Sequence, residues 1–177
     1  MQISALKKVT SMTVIPSNDP KFTLRHAGAN DAGLIHQFLF KLATYQKMAD
    51  DITSTSDSIQ KLLEANQGEA VFAIHEGKAV GFMFFSQTSS VFSGRWGYFL
   101  DAFYIDEKLR GGGLGKLMMT YLSRYTLARG GQMLEWVCLD WNAPAIRFYE
   151  DLGAYRLDEL TTYRLSPDRM RQIAEQD

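Results

Sequence analysis

A run of glycines between an apolar segment and an amphipathic helix is the part of this chain best suited to hold a ligand. The run reads Arg-Gly-Gly-Gly-Leu-Gly-Lys over residues 110–116. Adjacent glycines allow positive φ angles and leave no Cβ atom in the way of a ligand. The following helix directs its unpaired N–H groups and the positive end of its dipole towards the turn. Such a turn is suited to bind a phosphate group.

Two common phosphate-binding motifs do not fit this run. A nucleoside-triphosphate loop needs a Gly five residues before Gly115 and a Ser or Thr after the Lys, but the chain has Arg110 and Leu117 there. The dinucleotide fingerprint needs a third glycine, and the two possible readings place Lys116 or Met118 at that position. What remains is an Arg-x-x-Gly-x-Gly pattern that ends at Gly115.

This pattern resembles the acyl-coenzyme A loop of the GCN5-related N-acetyltransferase (GNAT) superfamily, and two further motifs support the resemblance. Residues 100–105, Leu-Asp-Ala-Phe-Tyr-Ile, precede the loop, and residues 141–154, which begin Trp-Asn-Ala-Pro, follow it. The three motifs occur in the order and spacing of the family, and the resemblance spans residues 22–165. Within the superfamily they most resemble the diamine acetyltransferases of the spermidine/spermine type.

The resemblance implies that the chain binds acetyl-CoA as acyl donor. The amides of residues 111–116 would hold the pyrophosphate, and the strand at residues 103–105 would bind the pantetheine arm. In the family, a β-bulge in that strand separates it from the next strand and opens the slot for the cofactor. The implied cofactor contacts are Phe103, Tyr104, Ile105, Arg110, Gly111, Gly112, Gly113, Leu114, Gly115, Lys116, Asn142, Ala145 and Tyr149.

Acetyl transfer to an amine also needs a base and an acid. An alkylamine is protonated at neutral pH, with a pKa of about 10.4, so a base must remove its proton. The resemblance makes Asp101 the candidate base, although it could instead attract a cationic substrate or pair with Arg95. Tyr149 is the candidate acid for the leaving thiolate, and its alternative role is packing along one face of its helix. A backbone N–H near Phe103 would stabilise the carbonyl oxygen as it gains charge.

The acceptor site is less well defined by the sequence. Diamine acetyltransferases have a Tyr-Glu pair on the first helix, whereas this chain has Tyr45 followed by Gln46. We expect a small primary amine, such as a polyamine or a lysine-like amino acid, in contact with Tyr45, Gln46 and Asp101. The alternatives are a protein N-terminus, a lysine side chain, an aminoglycoside, or a CoA-binding module without catalysis.

Composition limits the other classes of function. With 177 residues and a net charge of −1, the chain suits one domain and lacks the excess of cations that non-specific nucleic-acid binding needs. We expect an N-terminal extension over residues 1–20 and a single acetyltransferase domain over residues 21–177. The single cysteine, Cys138, is typical of a reducing cytoplasm. No apolar run is long enough to cross a bilayer.

Metal binding is not expected, because His26, His36 and His75 have no ligand spacing. The resemblance also implies a homodimer. It further implies an α/β fold with a mixed, mostly antiparallel central sheet that is flanked by helices and contains a splayed strand pair forming the acyl-CoA slot.

The pattern of apolar residues predicts the order β, two α, three β, α, β, α, β. The clearest helix follows the glycine run, and a strand from Arg95 to Ile105 precedes that run. Met133–Leu139 is predicted as the next strand, and Tyr155–Leu165 as one or two final strands. Ser166-Pro167 is typical of the start of a terminal helix.

Overall fold

The computed structural model describes residues 14–16 and 19–176 of the chain. They divide into two units, one up to Leu139 and one from Asp140 onward. The single domain over residues 21–177 stays a prediction. Among the described residues, no helix combines the length and the apolar character that a membrane crossing requires.

Six strands form one sheet in the first unit, in the same order as in the sequence. All neighbouring strands are antiparallel except the last pair, β5 and β6, which run parallel. The prediction of a mixed, mostly antiparallel sheet is therefore confirmed. The strands are β1 (Val14–Pro16), β2 (Thr23–His26), β3 (Glu69–His75), β4 (Lys78–Ser90), β5 (Arg95–Ile105) and β6 (Met133–Trp136).

Three α-helices flank this sheet: α1 (Ala32–Gln46), α2 (Ser56–Glu64) and α3 (Leu114–Ala128). Thr55 begins α2 with a capping box, in which its hydroxyl accepts from the Ser58 amide at 3.2 Å and the Ser58 hydroxyl accepts from the Thr55 amide at 2.9 Å. Gly113 precedes α3 with a φ of 87°, and Gly130 follows that helix with a φ of 85°. Glycine is favoured at both positions because both lie in the left-handed region.

A β-bulge lies in β5 at Asp101. Phe85 of β4 pairs with Leu100, and its neighbour Phe84 pairs with Ala102, so Asp101 is the extra residue of the ladder. Adjacent residues of β4 point to opposite faces of the sheet, and paired residues share a face. Leu100 and Ala102 therefore point to opposite faces, although they are two residues apart on one strand.

The two faces of the sheet carry separate hydrophobic layers. On one face, Phe38 of α1 lies 5.7 Å from Phe82 and 6.1 Å from Tyr104, measured between ring centroids. On the other face, Phe85 lies 5.8 Å from Tyr125 of α3. The buried side chains of β5 before the bulge at Asp101 therefore lie in the layer against α3 (the α3 layer), and those after it lie in the layer against α1 (the α1 layer). The buried residues of the α1 layer are Ala32, Ile35, Phe38, Ile59, Ala70, Phe72, Phe82, Ala102 and Tyr104.

The second unit contains two helices, α4 (Ala143–Asp151) and α5 (Pro167–Ala174). Asn142 and Ser166 cap them, and each side chain accepts a hydrogen bond from the amide three residues later. The predicted start of the terminal helix is therefore confirmed.

The prediction of final strands over Tyr155–Leu165 is wrong, because the described part of the second unit has no strand. A turn closed by the Leu160 amide on the Leu157 carbonyl, at 3.2 Å, interrupts the segment. The strand predicted over Met133–Leu139 is also shorter, since β6 ends at Trp136.

Candidate active site

The glycine run forms an open turn between β5 and α3. Gly111 and Gly113 have φ angles of 76° and 87°, and a Cβ atom added to either would lie farther than 4 Å from any other residue. Glycine is thus needed there for backbone conformation rather than for room. The open space beside the turn and the first-turn amides of α3 fit a bound pyrophosphate group.

Cationic side chains surround the same turn. A cavity of about 270 Å³ lies beside it, and its lining includes Lys21, Lys108 and Arg110 against a single carboxylate, Asp19. An excess of positive charge along a concave surface raises the local concentration of anions. The full lining is Asp19, Lys21, Phe22, His75, Lys108, Leu109, Arg110 and Gly112.

Arg110 is directed towards the α1 layer. Its Nε donates to the Ile105 carbonyl at 3.0 Å. Its guanidinium carbon lies 4.4 Å from the centre of the Tyr45 ring and 5.3 Å from the centre of the Tyr104 ring. The structure therefore brings together Arg110, expected among the cofactor contacts, and Tyr45, expected among the acceptor contacts.

A second contact joins α1 to the segment before the turn. Lys41, one helical turn before Tyr45, places its Nζ 2.9 Å from Oδ1 of Asp106. Sequence reasoning missed this pair because 65 residues separate its members. No short-range spacing in the sequence signals a pair of residues this far apart.

The last two strands of the sheet separate beyond a short stretch of pairing. Residues 97–100 of β5 pair with residues 133–136 of β6, and β5 then continues to Ile105. Beyond Leu100, that edge of β5 pairs with no other strand among the described residues. An extended ligand that binds in the manner of an added strand fits this end of β5, which leads to Ile105. This arrangement agrees with the splayed strand pair that the family resemblance implies.

Asp101 lies at the point where the two strands separate. It is the bulged residue of β5 and is solvent-exposed, between the buried Leu100 and Ala102. β-Bulges commonly re-aim a side chain beside an active site. The arrangement suits a carboxylate that meets a ligand lying along β5.

Three of the predicted site residues belong to the second unit. Asn142 caps α4, with its Oδ1 3.4 Å from the Ala145 amide nitrogen. Tyr149 lies on the same helix, and its ring centroid is 5.2 Å from that of Phe148. The cofactor contacts of Asn142, Ala145 and Tyr149 and the acid role of Tyr149 stay predictions.

A buried polar cluster on the α3 face was not anticipated from the sequence. The His26 ring nitrogen Nε2 lies 2.5 Å from the hydroxyl of Tyr121, and Glu69 accepts hydrogen bonds from the hydroxyls of Tyr125 and Tyr98. Burial raises the pKa of Tyr121 and of Tyr125 and lowers that of His26. The sequence signal for this cluster was the presence of Tyr121 and Tyr125 in the apolar stripe of α3, since a buried hydroxyl needs a hydrogen-bond partner.

Over the described ranges 14–16 and 19–176, no group of three His, Cys, Asp or Glu residues is arranged to hold a metal ion.

Comparisons with known proteins agree with this geometry. The model of the acetyltransferase (GNAT) family matches residues 36–154. The chain is 26% identical to thialysine N-epsilon-acetyltransferase of Bos taurus, over 85% of this chain and 96% of that protein. It is 32% identical to L-ornithine N5-acetyltransferase of Arabidopsis thaliana over 52% of this chain, but this match spans only 41% of the relative.

A solved structure of an aminoglycoside acetyltransferase from an uncultured soil metagenomic sample has a similar fold. Its TM-score is 0.72 at 19% sequence identity, and the match covers 84% of this chain and 99% of that chain. At this identity the likeness concerns the fold alone.

Proposed function

The chain belongs to the acetyltransferase (GNAT) family and is an acetyl-transferring enzyme, and we propose that it acetylates a primary amine of a small molecule with acetyl-CoA as donor. The observation that carries the proposal is the continuity of one segment, in which the part of β5 beyond its pairing with β6 leads, through one turn of 3-10 helix at residues 107–109, into an open glycine turn at the start of α3. An extended pantetheine arm that ends in a pyrophosphate requires these two features in that order.

We propose that the acceptor is the terminal amine of a polyamine or of a lysine-like amino acid. Two relatives support this choice, because thialysine N-epsilon-acetyltransferase and L-ornithine N5-acetyltransferase are named for side-chain amines of basic amino acids. A third relative, from Homo sapiens, is named a spermidine/spermine N(1)-acetyltransferase-like protein.

The chain's own residues would bind and orient the reactants. When bound, acetyl-CoA supplies the acetyl group as a thioester. The amides of residues 111–116 bind the pyrophosphate, and the edge of β5 near Phe103 orients the arm. A β5 amide near Phe103 donates to the carbonyl oxygen that gains negative charge.

Two side chains would move protons in the proposed mechanism. Asp101 attracts the ammonium form of the acceptor and receives its proton, directly or through one water molecule, so that the neutral amine can attack. Tyr149 donates its hydroxyl proton to the departing thiolate, since a phenol with a pKa of about 10 can protonate a thiolate of similar basicity. Tyr45 and Gln46 complete the acceptor site in this proposal.

We also propose a cytoplasmic homodimer. The single cysteine supports a reducing compartment, and the resemblance to diamine acetyltransferases supports two copies. Light scattering on a sizing column tests the second point, and a mass near 20.0 kDa for the eluting species would contradict it.

The proposal is tested in two steps. Calorimetry first measures acetyl-CoA binding to the purified chain, and a thiol-release assay then compares ornithine, lysine, thialysine, spermidine, an aminoglycoside and a peptide. We expect binding and the highest kcat/KM with a basic amino acid or a polyamine. Turnover confined to the peptide or to the aminoglycoside would overturn the acceptor assignment. Binding without turnover of any amine would indicate a non-catalytic CoA-binding module.

A further inference from the structure

We infer that Arg110 anchors the glycine turn to α1 through the ring of Tyr45, which makes Tyr45 a positioning residue for the cofactor. The inference rests on the proposed function, because it takes the turn after β5 to be the acetyl-CoA site. It adds a positioning role to Tyr45, which is proposed to contact the acceptor, and it replaces the cofactor contact expected of Arg110.

The guanidinium group of Arg110 contacts two rings and a carbonyl, and its Nη1 lies 4.0 Å from Oε1 of Glu107. Its carbon lies 4.4 Å from the ring centre of Tyr45 and 5.3 Å from that of Tyr104, both within the range of a cation–π contact. Its Nε donates to the Ile105 carbonyl at 3.0 Å. About one third of the side chain is exposed. A guanidinium fixed in this way stabilises the turn rather than extending freely towards a ligand.

The end of α1 adds a second attraction for this cation. Tyr45 is the penultimate residue of the helix, and Lys47 ends it with a φ of 60°. The last carbonyls of a helix carry partial negative charge, which favours a cation within the final turn. Tyr45 therefore supplies the aromatic face at the place where the helix itself also attracts Arg110.

Of the two contacts that join α1 to this region, only the aromatic one reaches a residue of the glycine run itself, Arg110. The Lys41–Asp106 pair has side chains that are 46% and 31% exposed, and surface ion pairs contribute little. The Arg110 guanidinium contacts a second ring, Tyr104, in addition to Tyr45. Loss of the Tyr45 ring is therefore expected to loosen the turn.

A looser turn binds CoA less tightly, because its backbone must then be ordered during binding. A cation–π contact of this kind corresponds to about a 3- to 30-fold change in the dissociation constant. The contact has a consequence for the acceptor too. The guanidinium covers one face of the Tyr45 ring, so that face is not open to a cationic acceptor.

The first test measures CoA binding by calorimetry without any acceptor. We expect Tyr45→Leu to raise the Kd for CoA about 3- to 30-fold, and Tyr45→Phe, which keeps the ring, to stay within twofold of the wild type. Phe40→Leu is the matched control, because Phe40 is on the same helix and is 54% exposed. An unchanged Kd in Tyr45→Leu would overturn the inference. Absence of CoA binding by the wild-type chain would instead overturn the proposed function.

A second test combines Arg110→Met with Tyr45→Leu in a double-mutant cycle. If Arg110 acts as an anchor through Tyr45, Arg110→Met raises the Kd for CoA, and this effect is lost when the Tyr45 ring is already absent. The double variant should then bind CoA no more weakly than the weaker single variant. Additive losses in the double variant would show that Arg110 and Tyr45 act independently on CoA binding and would overturn the inference.

Discussion

The imidazole of His26, at the end of β2, lies 2.5 Å from the phenol oxygen of Tyr121 on α3. His26 is only 5% exposed, and burial lowers its pKa. The negative charge of Glu69 partly offsets this lowering of the pKa, and the positive charge of Arg129 adds to it. The folded protein therefore favours the neutral imidazole.

This burial predicts that stability depends on pH. The pKa of His26 is lower in the folded state than its unfolded value of about 6.5, so the unfolded state binds more protons between the two values. The contribution of His26 is fully present above pH 6.5 and is lost as the pH falls below it. Urea unfolding between pH 7.5 and 5.5 should show this loss, and His26→Gln should reduce it. His36→Gln is the control, and an equal reduction in that variant would contradict the role of His26.

Asp101 is predicted to act in proton transfer. If it is the base, Asp101→Asn should lower kcat at neutral pH by about 10²- to 10⁴-fold and leave the Kd for CoA unchanged. Part of the rate should return at high pH, because more of the amine is then neutral. An increase in the acceptor KM with an unchanged kcat would show that Asp101 only binds the substrate. Asp57→Asn, an exposed acid in the first turn of α2, is the matched control.

Tyr149 is predicted to protonate the leaving thiolate. Tyr149→Phe should lower kcat by about 10²- to 10⁴-fold with little change in CoA affinity, because only the hydroxyl is removed. Tyr155→Phe makes the same chemical change at a residue that is 85% exposed and should leave kcat unaltered. Turnover at the wild-type rate in Tyr149→Phe would remove this tyrosine from the mechanism.

The backbone of Gly113 should matter for cofactor binding. Its φ of 87° is unfavourable for any residue with a Cβ atom, at a cost of about 1–2 kcal/mol. The free turn can relax to relieve this strain, and CoA binding must then restore the strained backbone, so Gly113→Ala should raise the Kd for CoA about 10-fold, as measured by calorimetry. Gly94, in the turn between β4 and β5, has a φ of 66° and open space around it, so Gly94→Ala imposes a similar strain elsewhere. Equal CoA affinity in the two variants would contradict the prediction.

Local features of the fold were predictable from the sequence. The apolar pattern indicated β5 with its observed bounds, and the apolar stripe after the glycine run and the pair Ser166-Pro167 indicated α3 and α5. These signals are contained within a few neighbouring residues. A strand over Tyr155–Leu165 was wrongly predicted from the same kind of signal. The formation of a strand also requires a neighbouring strand to pair with, and that strand can lie anywhere in the chain.

Long-range features were not predictable in the same way. Four buried residues of β5 alternate regularly, as if all were on one face of an unbroken strand: Tyr98, Leu100, Ala102 and Tyr104. The bulge at Asp101 instead divides them between two layers, and only the pairing with β4 reveals this. The contact between Tyr45 and Arg110 is hidden for the same reason, since the two residues are far apart in the sequence and meet only through the fold.

The bulge also has a mechanical consequence. The buried side chains of β5 before position 101 pack in the α3 layer, and those after it pack in the α1 layer. Thermal loosening of either layer would therefore shift the Asp101 carboxylate relative to the edge of β5 that precedes the glycine turn. The alignment of the reacting groups thus depends on good packing in both layers, and this packing involves side chains that never contact a substrate.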